Sequence, residues 1–144
     1  MDKTQLEDLV REILLEKLGC RCTATRGVRK VSVPALRTTE ADRMDTGNPN
    51  DKVYTHDLFT LEQSPRLGAG LMEMENTTFP WTLNYDEMDY VIEGELSILI
   101  GGERVTAGPG EVIYIPKGSS IQFSVCGRAR FLYFVYPANW QEQK

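Results

Sequence analysis

Histidine is almost missing from this sequence of 144 residues: His56 is the only one. Cysteine is nearly as scarce, with Cys20, Cys22 and Cys126 alone. Imidazole and thiolate are the groups that hold zinc, iron and copper tightly, so their shortage argues against a transition-metal centre. Cys20 and Cys22 could supply two ligands, but no nearby cysteine or histidine completes a set, and free thiols are the simpler reading. An odd, sparse set of cysteines also excludes a disulfide framework. No apolar run is long enough to span a bilayer. Met1-Asp2-Lys3 opens without the apolar core of a secretory signal, so the expectation is a cytoplasmic protein with no membrane partner. Positive charge is in deficit, with 16 Lys and Arg against 21 Asp and Glu, a net charge of -5 and a pI of about 4.9. Such a chain is a poor general ligand for nucleic acid. There is no internal repeat, no Gly-x-x-x-x-Gly-Lys-Ser/Thr phosphate loop and no arginine-rich clamp in the strand-like segments.

What is present is ordinary globular composition, 41% hydrophobic and 26% charged, at a length suited to one core. Residues 4–18 carry a helical pattern, with Leu6, Leu9, Val10, Ile13, Leu14 and Leu18 on one face. Thr4 with Glu7 reads as a capping box and Gly19 as the stop. A helix this short is marginal alone, so its apolar stripe needs a surface to dock on. Residues 20–38 are basic, with Arg21, Arg26, Arg29, Lys30 and Arg37, and residues 39–52 are polar and turn-rich. The expected organisation is a helix over 1–19, a basic linker or arm over 20–52, and a β domain over 53–144.

From about Lys52 the pattern changes to short strands punctuated by Gly, Pro and Asn. Asp89 to Ile100 reads as two strands broken at Glu93-Gly94-Glu95, and Gly101-Gly102 as a hairpin turn. Glu111 to Ile115 and Ile121 to Val125 flank Pro116-Lys117-Gly118, and Arg130 to Tyr136 is a last apolar strand. Many short strands at regular spacing predict an all-β sandwich or small barrel.

Two segments carry a more specific signal. Glu87 precedes Gly94 within Asp86-Glu87-Met88-Asp89-Tyr90-Val91-Ile92-Glu93-Gly94-Glu95, and Gly110 precedes Pro116-Lys117-Gly118. Together, in order and separated by one hairpin, they resemble the paired motifs of the cupins. The runs Phe79-Pro80-Trp81-Thr82-Leu83-Asn84-Tyr85-Asp86-Glu87, Ile115 to Ile121, and Tyr136-Pro137-Ala138-Asn139-Trp140 narrow the resemblance to the ethanolamine-utilisation EutQ family. The resemblance covers most of residues 66–140. It implies a cupin double-stranded β-helix, or jelly-roll barrel, with an N-terminal amphipathic helix. Where cupin motifs carry metal-binding histidines, this chain has Trp81, Leu83 and Ile121, and of the usual ligand set only Glu87 remains. Metal-dependent cupin chemistry is therefore not expected.

If the strand alternation holds, Trp81, Leu83, Tyr85 and Glu87 point into the barrel. Glu73 and Glu75 would join them from the neighbouring strand and Tyr133 from the last, unless the register is off by one. The candidate catalytic set is thus Glu87, Glu73 and Glu75, with Trp81, Tyr85 and Tyr133 as binding residues. Trp81, Leu83 and Ile121 are equally at home as plain barrel core, and Tyr85 and Tyr133 as core or rim. Lys117 with Ser119-Ser120 could meet a phosphate, although turn chemistry explains them too. Glu87 is harder to explain structurally, because a buried carboxylate is costly unless paired. Its pKa should be raised, making it an acid or base; alternatively, two carboxylates with waters could hold Mg²⁺.

The family resemblance implies acetate kinase activity, phosphoryl transfer between acetyl phosphate and ADP, with no tightly bound cofactor and Mg-ATP or Mg-ADP as the nucleotide. It also implies association with a bacterial microcompartment. The alternative is a non-catalytic assembly module whose residues 4–18 dock on a shell or on other ethanolamine-utilisation proteins. A homodimer is expected by analogy with cupins that pair through their sheets.

Overall fold

The computed structural model of the chain describes residues 2–17 and 23–144, which divide into two compact units, Met1–Arg37 and Thr38–Lys144. In the first, helix α1 spans Lys3–Lys17. Its cap is not Thr4 with Glu7. The Gln5 amide donates to Asp2 Oδ1 at 2.8 Å and the Asp2 amide donates to Gln5 Oε1 at 3.1 Å, so the reciprocal pair starts two residues earlier. The carboxylate of Asp2 outcompetes a threonine hydroxyl because it also meets the positive end of the helix dipole. The stripe residues Leu6, Leu9, Val10, Ile13 and Leu14 are 43–53% exposed. Leu18, Gly19, Cys20, Arg21 and Cys22 lie outside the described residues. Strands β1 (Thr23–Thr25) and β2 (Val28–Lys30) form a hairpin through Arg26 and Gly27, both at positive φ. The stretch expected to be a linker thus carries regular structure. No helix among the described residues is long and apolar enough to cross a membrane.

The second unit is antiparallel β-sheet, as the strand spacing predicts. Its strands are β3 (Lys52–Asp57), β4 (Gly68–Thr82), β5 (Asp86–Glu93), β6 (Leu96–Ile100), β7 (Glu103–Ala107), β8 (Val112–Ile115) and β9 (Ser120–Tyr136). Two long strands, β4 and β9, pair along nearly their whole length and form the spine. The first half of β4 and the second half of β9 belong to the order β3-β4-β9-β5-β8. The second half of β4 and the first half of β9 continue into β6 and β7. The core fills the space between these halves, with Met72, Val91, Ile115, Phe131 and Val135 from one and Phe79, Leu96, Ile98, Ile121 and Phe123 from the other.

The spine bends where Asn76 on β4 faces Cys126 and Gly127 on β9, one residue against two. Asn76 sits at φ 42 and Gly127 at φ 82, and the Gly127 amide donates to Asn76 Oδ1 at 2.8 Å. An extra residue in one strand shifts the side-chain phase of its partner. Before the bulge Met72 and Met74 face the core; after it Thr77 and Phe79 do. Alternation carried back unbroken from Trp81 would put Glu73 and Glu75 inside. The bulge puts them outside, and this corrects the inward placement of both glutamates.

Residues 38–51 are part of this unit rather than of an arm. The Met44 amide donates to the Val53 carbonyl at 2.8 Å, the Thr38 amide reaches Glu73 Oε1 at 3.3 Å, and His56 Nδ1 lies 3.0 Å from Asp42 Oδ1. The expected hairpin at Gly101-Gly102 joins β6 to β7, with φ of 56° and 82°. At Gly94 the chain crosses from β5 to β6 with φ 75°, and a Cβ there would lie 2.0 Å from the Arg128 carbonyl oxygen, so no other residue fits.

Candidate functional site

Trp81 is the last residue but one of β4, Leu83 and Tyr85 lie in the turn that follows, and Glu87 is the second residue of β5; the alternation expected from the sequence holds across all of them. Leu83 and Tyr85 are buried, and Glu87 is only 4% exposed. Tyr133 enters the same space from β9, crossing over Gly70, where any side chain would collide with its ring. Met72, Phe123 and Val135 complete the walls from the sheet, and Met44 and Trp140 close the mouth from the flanking segments. Four sequence-predicted residues therefore meet in one place: Trp81, Tyr85, Glu87 and Tyr133. Glu73 and Glu75 do not. Glu73 pairs with Arg130 at 3.1 Å on the far face of the sheet, and Glu75 lies 3.9 Å from Lys52.

The aromatic side chains are held to one another. Trp81 Nε1 donates to the Tyr85 hydroxyl at 2.8 Å, and Trp140 sits 6.1 Å from the Trp81 ring and 5.4 Å from that of Tyr85. Edge-on and tilted contacts of this kind are favourable for ring quadrupoles. The Tyr133 hydroxyl donates to Asp57 Oδ1 at 2.8 Å, which fixes its ring over Gly70. Burial first, and then nearby carboxylates, hold both tyrosine hydroxyls in the neutral form well above their ordinary pKa.

Asp89 is a member of the site that the sequence reading overlooked. It stands two residues beyond Glu87 on β5, hence on the same face, and is completely buried. The signal was legible as carboxylates at i and i+2 of one strand. Glu87 Oε1 and both Asp89 carboxyl oxygens have no hydrogen-bond partner outside the pair. Burial pushes Glu87 up to about 7, although Asp89 and Tyr85 draw it part of the way back. Burial, followed by repulsion from Glu87, holds Asp89 well above the usual carboxylate range. Two adjacent carboxyls in a dry site cannot both ionise cheaply, so the pair retains at least one proton near neutrality.

The space over Glu87 is about 10 Å³, room for about one water. Adjoining it is a cleft of about 430 Å³ whose walls include Trp81, Tyr85 and Trp140 together with Arg43, Asn84 and Gln143. Arg43 is committed elsewhere, donating to the Pro49 and Asp51 carbonyls and to the Tyr54 hydroxyl. A groove of about 480 Å³ runs past Trp81 along the β6–β7 hairpin, but its charged residues Glu103 and Arg104 are exposed. Among the described residues no three His, Cys, Asp or Glu side chains come together as a metal site. The Glu87–Asp89 pair fits magnesium poorly as well, because that ion keeps several waters and the space over Glu87 admits about one.

Comparison with known proteins gives consistent results. The family described as “Ethanolamine utilisation protein EutQ” matches residues 1–142. A protein of Clostridioides difficile (strain 630) named “Acetate kinase EutQ” is 55% identical over 151 residues, which cover 99% of this chain and 96% of that protein. A Salmonella typhimurium (strain LT2) protein of the same name is 44% identical over 83% of this chain, which spans only 52% of that relative. The solved structure of the Clostridium difficile EutQ protein superposes with a TM-score of 0.84 at 57% identity, covering 88% of this chain and 93% of that one. A cupin superfamily protein from Desulfitobacterium hafniense, 17% identical with a TM-score of 0.53 over 60% of this chain and 78% of that one, shares the fold. The barrel is thus a cupin jelly roll, as the motifs around Glu87 and Gly118 imply.

Proposed function

The chain belongs to the ethanolamine utilisation protein EutQ family, and from that membership we propose that it acts in ethanolamine utilisation as an acetate kinase. In this reading the bond between phosphorus and the acyl oxygen of acetyl phosphate breaks, a new bond forms to the terminal phosphate oxygen of ADP, and acetate leaves. The observation that carries it is the cleft over Glu87, together with the name of the Clostridioides difficile relative that matches nearly the whole chain. Trp81, Tyr85 and Trp140 offer faces on which a purine can stack. Asn84 and Gln143, whose amides bond the Gln143 carbonyl and Asn139, line the same cleft, and the magnesium ion arrives as part of the nucleotide substrate. Glu87 remains the catalytic candidate, now partnered by Asp89 rather than by Glu73 or Glu75. The test is ATP formation from acetyl phosphate, ADP and Mg²⁺, comparing wild type with Glu87→Gln from one preparation. The expected result is a loss of about tenfold or more in kcat/KM. Turnover indifferent to the substitution points to a contaminating kinase and removes the reading.

A second reading, a docking or assembly module at a microcompartment in the cytoplasm, is favoured by the half-exposed apolar stripe of α1. A groove on a shell or another ethanolamine-utilisation protein could receive Leu6, Leu9, Val10 and Ile13. Deleting residues 1–20 should abolish shell association with the melting temperature unchanged; a large fall in melting temperature argues for packing instead.

The homodimer expected from sequence is supported by the outer face of β5, β8 and β9. There Met88 lies between Tyr114 and Phe134 in register, and Tyr90 beside Val112. Met88, Tyr90, Val112 and Tyr114 are 40–57% exposed, an apolar patch suited to a second copy of itself.

A further inference from the structure

We propose that the floor of the barrel, at Glu87, is a binding site for the head of a small primary ammonium ion. This goes beyond phosphoryl transfer and does not rest on it.

The chemistry of the walls selects the ligand. Glu87 is 4% exposed, lines the space, and leaves Oε1 without a donor. Asp89 stands behind it, meeting no donor other than the proton it shares with Glu87. The groups around Glu87 supply few donors beyond the Tyr85 hydroxyl, which bonds Glu87 itself. The Trp81 indole is spent on Tyr85 and the Tyr133 hydroxyl on Asp57. A buried acceptor left in this state costs free energy that a donor-rich ligand recovers. No cation lines the small space itself, so an anionic group belongs in the wider cleft adjoining it and not at the floor.

An ammonium group has three donors, no acceptor and a positive charge, so it complements a carboxylate floor. Its bulk is close to that of water, and the space over Glu87 holds about one water at about 10 Å³. Trp81, Tyr85, Tyr133 and Trp140 ring that space, and their π faces stabilise a cation as they would not an anion. The rest of a short amine passes between Trp81, Tyr85 and Trp140 into the cleft of about 430 Å³. Asn84 and Gln143 are among the residues lining that cleft and can bond a hydroxyl on the next carbon. A 2-hydroxyalkyl amine therefore fits better than a simple alkyl amine. A quaternary ammonium is excluded by size.

The proton balance follows from the groups that face Glu87. They are Tyr85 and Asp89 from its own segment and Tyr133, backed by Asp57, from β9 and β3. Both tyrosines stay neutral, so Glu87 and Asp89 hold the only exchangeable protons. Ammonium binding selects ionised Glu87, and protons compete with it as the pH falls through about 7.

The experiment is calorimetric titration of the full chain, without nucleotide, using ethanolamine hydrochloride as the probe. Ethylene glycol serves as its neutral analogue and magnesium chloride alone as the competing cation. At about pH 8 ethanolamine should bind one per chain and ethylene glycol should not, with ethanolamine affinity falling about tenfold at about pH 6. Glu87→Gln should weaken binding at least about tenfold, since the charge-assisted hydrogen bonds are lost. Trp140→Leu, near the chain end and away from the core strands, should weaken it several-fold and serves if the first variant misfolds. Absence of ethanolamine binding overturns the proposal, as does equal binding of ethylene glycol or unchanged affinity in both variants. Magnesium binding that depends on Glu87, with ethanolamine inert, overturns it in favour of a metal site. ATP formation is not measured, so failure here leaves the kinase reading untouched, and failure there leaves this one.

Discussion

Glu87 and Asp89 stand two residues apart on β5, both beneath the sheet and both nearly sealed from solvent, with three of their four carboxyl oxygens lacking a partner outside the pair. Such a pair destabilises the fold whenever it is charged. The folded protein keeps the Glu87 proton up to about 7, whereas an unfolded glutamate releases it near 4.5. Between those values the native state binds more protons, so stability falls as pH rises and the penalty is complete above about 7. The raised Asp89 extends the fall upward. The expected melting temperature is highest near about pH 5 and lower at about pH 8, and Glu87→Gln should be more stable than wild type at the higher pH by on the order of 2–3 kcal/mol. A profile that rises with pH, scanned by calorimetry, would contradict this.

Gly94 is the tightest backbone position in the unit. With φ 75° and a hypothetical Cβ 2.0 Å from the Arg128 oxygen, Gly94→Ala forces β5 and β9 apart. The expected cost is about 2–4 kcal/mol, read as the shift in urea midpoint, with failure to fold as the extreme. A shift below about 0.5 kcal/mol would mean that the crossing is looser than its geometry.

Glu73 and Glu75 should differ sharply. Glu73 faces Arg130, which is 6% exposed, and also accepts the Thr38 amide, so Glu73→Gln removes the charge paired with a buried cation. A loss of about 1–3 kcal/mol is expected, insensitive to salt. Glu75 faces an exposed Lys52 at 3.9 Å, and Glu75→Gln should change stability by less than about 0.5 kcal/mol. Equal effects in parallel denaturant titrations would show that burial of Arg130 adds nothing to its pair with Glu73.

The outer face of β5, β8 and β9 should govern assembly. Tyr90→Arg places charge at the centre of an apolar patch without touching the core, because Tyr90 is 40% exposed. Light scattering coupled to gel filtration should report a dimer for wild type and a monomer for the variant. A wild-type monomer, or a variant that stays dimeric, would assign this face elsewhere.

Much of this protein could be read in advance because its signals are local. Alternation from Trp81 to Glu87 placed four side chains inside, and the paired glycines at 101 and 102 fixed a hairpin, since both depend only on backbone sterics and period two. The missing histidines at Trp81, Leu83 and Ile121 likewise turned attention from metal chemistry to Glu87. The loss of register at Glu73 and Glu75 came from one residue, Asn76, whose bulge is defined only by its partners Cys126 and Gly127, some 50 positions away in sequence. Asp89 was visible in the strand pattern, but its significance depends on complete burial, which no local pattern reveals.

The sequence by itself determined the family, the strand-rich barrel, the lack of imidazole for a metal and the presence of an acidic residue where a core residue would be cheaper. Tertiary structure alone decided that Asp89 is the partner of Glu87, that Met44 and Trp140 close the mouth, and that residues 38–51 belong to the β unit. The reason is physical. Covalent neighbours fix local conformation, whereas the dielectric, the unsatisfied oxygens and the aromatic walls of a site arise from segments that meet only when the sheet bends on itself.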